Sequence, residues 1–291
     1  MAARRRSRNP AILSREFLIH NHSDLVSGLV LLLLLGVMFE VTAKTAFIFI
    51  SPQYNISTPT ADGETVLYQS GVRDLLTVLF YFFIAIILHA VIQEYVLDKI
   101  NKRLHLSKIK QNKFSESGQL LTFHLISAVW GLTTVLTEGY LVKPSSLWED
   151  YPHTNMSFQV KFFFLSHMAY WLHSLPELYF QRVRKEELPR QVLHIALYLL
   201  HLSGAYLIQL TRVGLVLVVV HSVPEIVFHA ARLVYFINES NQRLFRLWAA
   251  VFVVSRLVTV TLTVLTVGFG LDHSPSHPHS GTLNTALLRL C

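Results

Sequence analysis

Apolar residues run along this chain in seven long stretches separated by shorter polar ones: Leu25–Ile50, Leu75–Leu97, Leu120–Val142, Val160–Phe180, Val192–Leu210, Val213–Phe236 and Leu247–Leu271. Each is close to the roughly 20 residues an α-helix needs to cross the hydrocarbon core of a bilayer. The pattern predicts an all-α, polytopic transmembrane helix bundle of about seven spans, because a helix closes its backbone hydrogen bonds within itself where no water is present. The first stretch outruns the roughly 7–15 apolar residues of a cleaved signal peptide and follows a polar, basic segment over 1–24, so it reads as a retained span.

Composition agrees with this pattern: 52% of residues are apolar and only 15% are charged, against about 25% charged in soluble domains. The formal charge of +7 is informative through its placement. Arg4, Arg5, Arg6, Arg8 and Arg15 precede the first span, and Lys99, Lys102, Arg103, Lys108, Lys110 and Lys113 follow the second. Arg182, Arg184, Lys185, Arg190, Arg243 and Arg246 occupy later alternate loops, whereas the intervening loops and the tail hold Arg73, Lys143, Arg212 and Arg289. Positive loops stay on the cytosolic side, so the N-terminus is predicted to be cytosolic. Seven spans then put the C-terminus on the lumenal or external side.

The basic loop over 98–117 is suited to anionic phospholipid head groups, or to an acidic partner such as ribosomal RNA. No nucleic-acid-binding fold accompanies it. The one cysteine, Cys291, excludes an intrachain disulfide and any CxxC motif. Asn-x-Ser acceptors occur at Asn21, Asn55, Asn155 and Asn238. Only a lumenal acceptor is glycosylated, and the topology singles out Asn55, in a loop over 51–73 rich in turn-forming residues. His273, His277 and His279 lie in a tail over 272–291 whose prolines and glycine impose no coordination geometry.

Ionisable residues inside spans are costly and normally face the bundle interior or water. Glu40 and Lys44, four residues apart in the first stretch, are spaced for a structural ion pair. Two nearly identical phrases, HSLPELYF from His173 and HSVPEIVF from His221, each set a histidine four residues before a carboxylate with proline between. In the sixth stretch His221, Glu225, His229 and Arg232 form a polar stripe on one helix face. The residue types are compatible with a metal site, with acid/base chemistry or with a structural polar network, and the spacing is not that of HExxH. Each proline frees a carbonyl in the preceding turn, which a polar side chain or a neighbouring helix can satisfy. With His89, Glu94, His124, Glu138, His167, His194, His201 and Arg256 also inside apolar stretches, the pattern predicts a polar crevice within the bundle. Its candidate residues are His173, Glu177, His221, Glu225, His229 and Arg232.

Longer phrases carry a resemblance. HNHSD at 20–24, MFEVTAKTAF at 38–47, LHAVIQEYVLDKINKRLHLSK at 88–108, KFSESGQL at 113–120, AYWLHSLPELYFQ at 169–181, EELPRQ at 186–191 and LTVGFGL at 265–271 resemble the translocating chain-associated membrane proteins, the TRAM family. Their membrane region belongs to the TLC group together with the LAG ceramide synthases. The resemblance divides the chain into the N-terminus (1–24), a two-span region (25–117), a TLC-type helical bundle (118–271) and the tail. It implies a multi-pass protein of the endoplasmic reticulum that assists insertion or translocation of nascent secretory and membrane chains, particularly those with weak signals. The implied partners are the Sec translocon channel, nascent chains and their signal sequences, the ribosome and membrane phospholipids.

Proteins of this family have an eighth span and a basic cytosolic tail. TLNTALLRLC at 282–291 corresponds to the beginning of that span, so the chain is expected to be C-terminally shortened. The alternative is a TLC-type lipid-handling protein that binds or senses lipid, or an acyltransferase. Ceramide synthases use a paired-histidine and acidic motif, and here His173 and His221 are each followed by serine. No catalytic residue, cofactor or metal ligand is therefore assigned.

Overall fold

The computed structural model describes residues 15–60, 63–149, 151–181, 183–239 and 242–270. The sequence expectations for Arg4–Arg8, the tail histidines, Cys291 and the incomplete eighth span lie outside the described residues. The elements in order are α1 (Arg15–Val37), α2 (Glu40–Ile50), β1 (Asn55–Thr60), β2 (Gly63–Tyr68), α3 (Asp74–Ile92), α4 (Asp98–Leu104), α5 (Lys108–Thr137), α6 (Phe158–Phe180), α7 (Leu188–Leu207), α8 (Thr211–Ile237) and α9 (Arg243–Leu265). A π-helical turn over Gln93–Leu97 joins α3 to α4, and another over Thr266–Gly270 follows α9.

This is a helical membrane bundle. Among the described residues, four segments combine the length and hydropathy of a span: Asp74–Leu104, Lys108–Thr137, Thr211–Ile237 and Arg243–Gly268. α6 and α7 are also long enough, with 23 and 20 residues, but carry more polar side chains. Burial accounts for this in α6: Lys161, His167 and His173 are at most 4% exposed, so these polar groups meet protein and not lipid.

The predicted first span is not one helix. It breaks at Phe39, which is extended (φ −107°, ψ 124°), and α2 turns sharply against the end of α1. Gly36 lies against α2 at the turn: a Cβ there would make ordinary contact with Ala46 and Thr42, at 3.7 and 3.8 Å. The Thr42 hydroxyl donates to the Gly36 carbonyl at 2.6 Å, satisfying an acceptor that the helix end would otherwise orphan. The expected ion pair is not formed: Glu40 and Lys44 stay four residues apart on α2, but both are exposed to solvent or lipid and form no ion pair among the described residues. The 51–73 loop likewise contains structure. β1 and β2 form an antiparallel hairpin, and Tyr68 bridges to Met156 ahead of α6. The basic 98–117 segment is mostly helical, and the boundary drawn at 117/118 falls inside α5.

α1 and α2 pack on α3, α3 packs on α6, α6 on α7, and α8 on α5, α7 and α9. Small residues permit the close approach of α5 and α8, as expected where lipid removes the hydrophobic drive for helix association. A Cβ on Gly131 would fall 2.4 Å from Val219 and 3.2 Å from Phe163. Nearby, Ser127 and Ser222 meet across the two helices with hydroxyl oxygens 3.2 Å apart, and His167 on α6 approaches Ser127 at 2.8 Å. The proline expectation holds in α8: Pro224 leaves the Val220 carbonyl without its helical donor, and Ser255 on α9 donates to it at 3.1 Å.

At the end of α6 nearest the hairpin, Lys161 is fully buried. Its ammonium lies 2.7 Å from Asp74 Oδ1 and donates to the carbonyls of Gln53 (2.7 Å) and Gln69 (2.6 Å). Asp74 Oδ2 accepts from the Tyr206 hydroxyl and the Gly71 N–H, both at 2.8 Å. This network ties the segments flanking the hairpin to α3, α6 and α7.

Candidate functional site

The opposite half of the bundle holds an open crevice of about 640 Å³. Its walls come from α3, α5, α6, α7 and α8, and from the ends of those helices next to the basic loops. The site is built around α6, where His173 lies about 18 Å along the axis from Lys161. Of the predicted residues, His173, Glu177, Glu225, His229 and Arg232 line the crevice. His221 does not: it is hydrogen-bonded to the Tyr198 hydroxyl of α7 instead.

The two similar phrases face this space differently. In the first, His173 turns to the Tyr170 carbonyl of its own helix and approaches His89 of α3, with His173 Nε2 3.5 Å from His89 Nδ1. Glu177 reaches the other nitrogen of the same ring, Oε1 lying 3.2 Å from His89 Nε2, and accepts from Gln181 at 3.0 Å. In the second, Glu225 stands between two histidines of its own helix, 3.7 Å from His221 and 3.6 Å from His229. The stripes of α6 and α8 therefore line one cavity without bonding to one another. Aromatic rings lie between them: Trp171 stacks on Tyr198 with centroids 3.8 Å apart, and Tyr170 stacks on Phe123 at 3.6 Å.

At the rim, Arg232 lies 3.9 Å from Glu116 and over the rings of Phe228 and Phe236, while Lys113 and Arg190 add positive charge. The wall is mainly apolar, with carboxylates, imidazoles and cations at separate points. Such a surface can receive an amphipathic segment, apolar on one side and weakly polar on another. His89 and Gln181 are among the lining residues that the predicted set left out. Nothing local to His89 signals the role, because its partners lie on and at the end of α6, whereas Gln181 follows Glu177 by four residues and donates to it.

Comparison with known proteins accords with the architecture. Residues 113–291 match the TLC domain family. The whole chain is 60% identical over 294 residues to translocating chain-associated membrane protein 2 of Homo sapiens, covering 80% of that protein. It is also 60% identical over 293 residues to the Mus musculus protein of the same name, covering 79% of it. A more distant similarity, 26% over 148 residues, relates half of this chain to 37% of ceramide synthase 4 of Mus musculus. With identity sustained from end to end and the TLC domain in its expected place, the chain belongs to the translocating chain-associated membrane protein family.

Proposed function

We propose that this protein is a noncatalytic companion of the Sec translocon in the endoplasmic reticulum membrane, where it assists insertion or translocation of nascent chains with weak signals. The observation that carries the reading is the crevice, a cavity with charged points on an apolar wall, in a chain 60% identical to relatives named for association with translocating chains. A charged residue at the centre of a span costs about 2.5–3.5 kcal/mol on insertion scales. A neighbour offering Glu177, Glu225 and Arg232 against an apolar wall lowers that cost during transfer from channel to bilayer. The basic loops put the crevice mouth on the cytosolic side, with the N-terminus, facing the ribosome and anionic head groups.

The test is insertion into translocon vesicles with and without this chain, scoring a weak and a strong signal sequence. Rescue of the weak signal alone is the expected result. Glu177→Gln and Glu225→Gln, which keep shape and remove charge, should reduce that rescue severalfold at equal protein abundance. Unchanged rescue in both variants would discard the crevice as the working surface.

Lipid handling is the second reading, favoured by the TLC match and the ceramide synthase similarity. Copurified lipid with acyl-coenzyme A turnover, in place of signal rescue, would establish it.

The same orientation puts the hairpin in the lumen and makes Asn55 the glycan acceptor. Asn55 opens β1 with an exposed side chain. Asn155, the other acceptor on that side, is engaged: its side-chain carbonyl accepts from Gln69 at 3.0 Å. Asn55→Gln is expected to abolish a single glycan-sized mobility shift in microsomes, and Asn155→Gln to leave it in place. The opposite pattern would reverse the assignment.

A further inference from the structure

Behind the crevice, which Glu225 and His229 of α8 line and His124 does not, His124 of α5 faces both of them. One donor atom from each of the three lies within 4.8 Å of the other two. The two imidazoles are nearly parallel, with centroids 6.1 Å apart and planes at 10°. His124 is 2% exposed and His229 4%, and the Nδ1 atom of each is buried without a hydrogen-bond partner among the described residues. Glu225, between them, is no closer than 3.6 Å to either neighbouring histidine of its own helix, which is beyond hydrogen-bond reach. Buried polar groups in folded proteins are normally paired, yet each of these imidazoles leaves Nδ1 unpaired, and His229 turns its Nε2 toward Glu225 without reaching hydrogen-bond distance.

By residue type alone His221, Glu225 and His229 along α8 are compatible with a metal site, though the sequence assigns none. The structure replaces His221, which Tyr198 holds, with His124 from the facing helix. Two imidazoles and one carboxylate on two packed helices match the donor preferences of zinc and its first-row neighbours. Tetrahedral zinc with bonds of about 2.0–2.1 Å sets its donors about 3.3 Å apart. Contraction from the present spacing is within reach of side-chain rotation. We propose that His124, Glu225 and His229 form a zinc-type divalent metal site that staples α5 to α8. Its remaining coordination position faces the crevice, which Glu225 and His229 line.

The test uses the full chain in detergent, purified without a histidine tag and with His273, His277 and His279 replaced by serine. Cobalt(II) serves as the spectroscopic probe and zinc as competitor. The expected result is one cobalt per chain with tetrahedral absorption bands, displaced by zinc, and a melting temperature that rises on metal addition. Outer-shell partners of bound metals typically cost about 10–100-fold in affinity when lost. Glu225→Gln and His229→Asn, which remove direct ligands, should therefore each weaken binding by more than about 100-fold, while His221→Asn leaves it intact. Metal-free melting of each variant verifies its fold. Absence of saturable binding in the parent chain, or binding that survives both ligand replacements, overturns the site and leaves a water-bridged polar network. Neither readout depends on translocation activity.

Discussion

Replacing Lys161 with methionine is expected to destabilise the folded chain by about 3–5 kcal/mol, the cost typical of removing one partner from a buried ion pair. Methionine keeps most of the length and apolar stem of lysine, so little of the loss comes from packing. The loss comes from Asp74, whose carboxylate is 3% exposed and would keep the Tyr206 hydroxyl and Gly71 N–H but no cation. The Gln53 and Gln69 carbonyls would lose their donor as well. Asp74→Asn in the same background removes the stranded charge, so the double variant should recover a substantial part of the loss. Equilibrium unfolding in mixed micelles provides the measurement. A loss below about 1 kcal/mol would place the pair among exposed bridges of little consequence, contrary to its burial.

The second large effect is expected at Gly131. Gly131→Leu should separate α5 from α8, because even its first side-chain carbon would stand 2.4 Å from Val219 Cγ2 and 3.2 Å from the Phe163 ring. Overpacking typically costs about 1–3 kcal/mol. Leucine here should reach or exceed the upper figure, since Val219 is β-branched and has little rotamer freedom in a helix. Gly131→Ala should cost less, and Val219→Ala added to it should restore most of the stability by vacating that volume. Failure of the double variant to recover would mean that Phe163, 0% exposed, sets the limit on that face. The crevice uses the same α5–α8 seam, so Gly131→Leu is also expected to impair weak-signal rescue beyond any fall in abundance.

The break near Phe39 shows where hydropathy loses resolution. Leu25–Ile50 contains no proline, and Glu40 and Lys44 fit a continuous helix as well as an interrupted one. What separates them is the approach of α2 to the end of α1, with the Thr42 hydroxyl on the Gly36 carbonyl, which exists only after the chain has turned. Asp74 and Lys161 were passed over for a related reason. Each looks like an ordinary charge at the edge of an apolar stretch, and their 87-position separation hides the bond between them.

The polar crevice was legible in part. A stripe at helical spacing in an apolar segment needs somewhere to face, and that cost is written into a single helix. Which groups answer it is not. Glu177 approaches His89 of α3 at 3.2 Å, and Glu225 lies within 4.8 Å of His124 of α5, proximities set by helix packing. The HSLPELYF and HSVPEIVF phrases make the point most directly. Eight nearly matching residues place histidine and glutamate alike along each helix, yet one histidine turns toward α3 and the other toward Tyr198 of α7.

The sequence by itself determined the membrane setting, the positions of most spans, the alternation of basic loops and the family, because length, hydropathy and charge act locally along the chain. The tertiary structure decided the turn from α1 into α2, the buried Lys161–Asp74 bond, the membership of the crevice and the third residue facing Glu225 and His229. Each of these depends on which helix faces come together, and that choice is made by packing small and large residues against one another across distances in sequence that no local pattern spans.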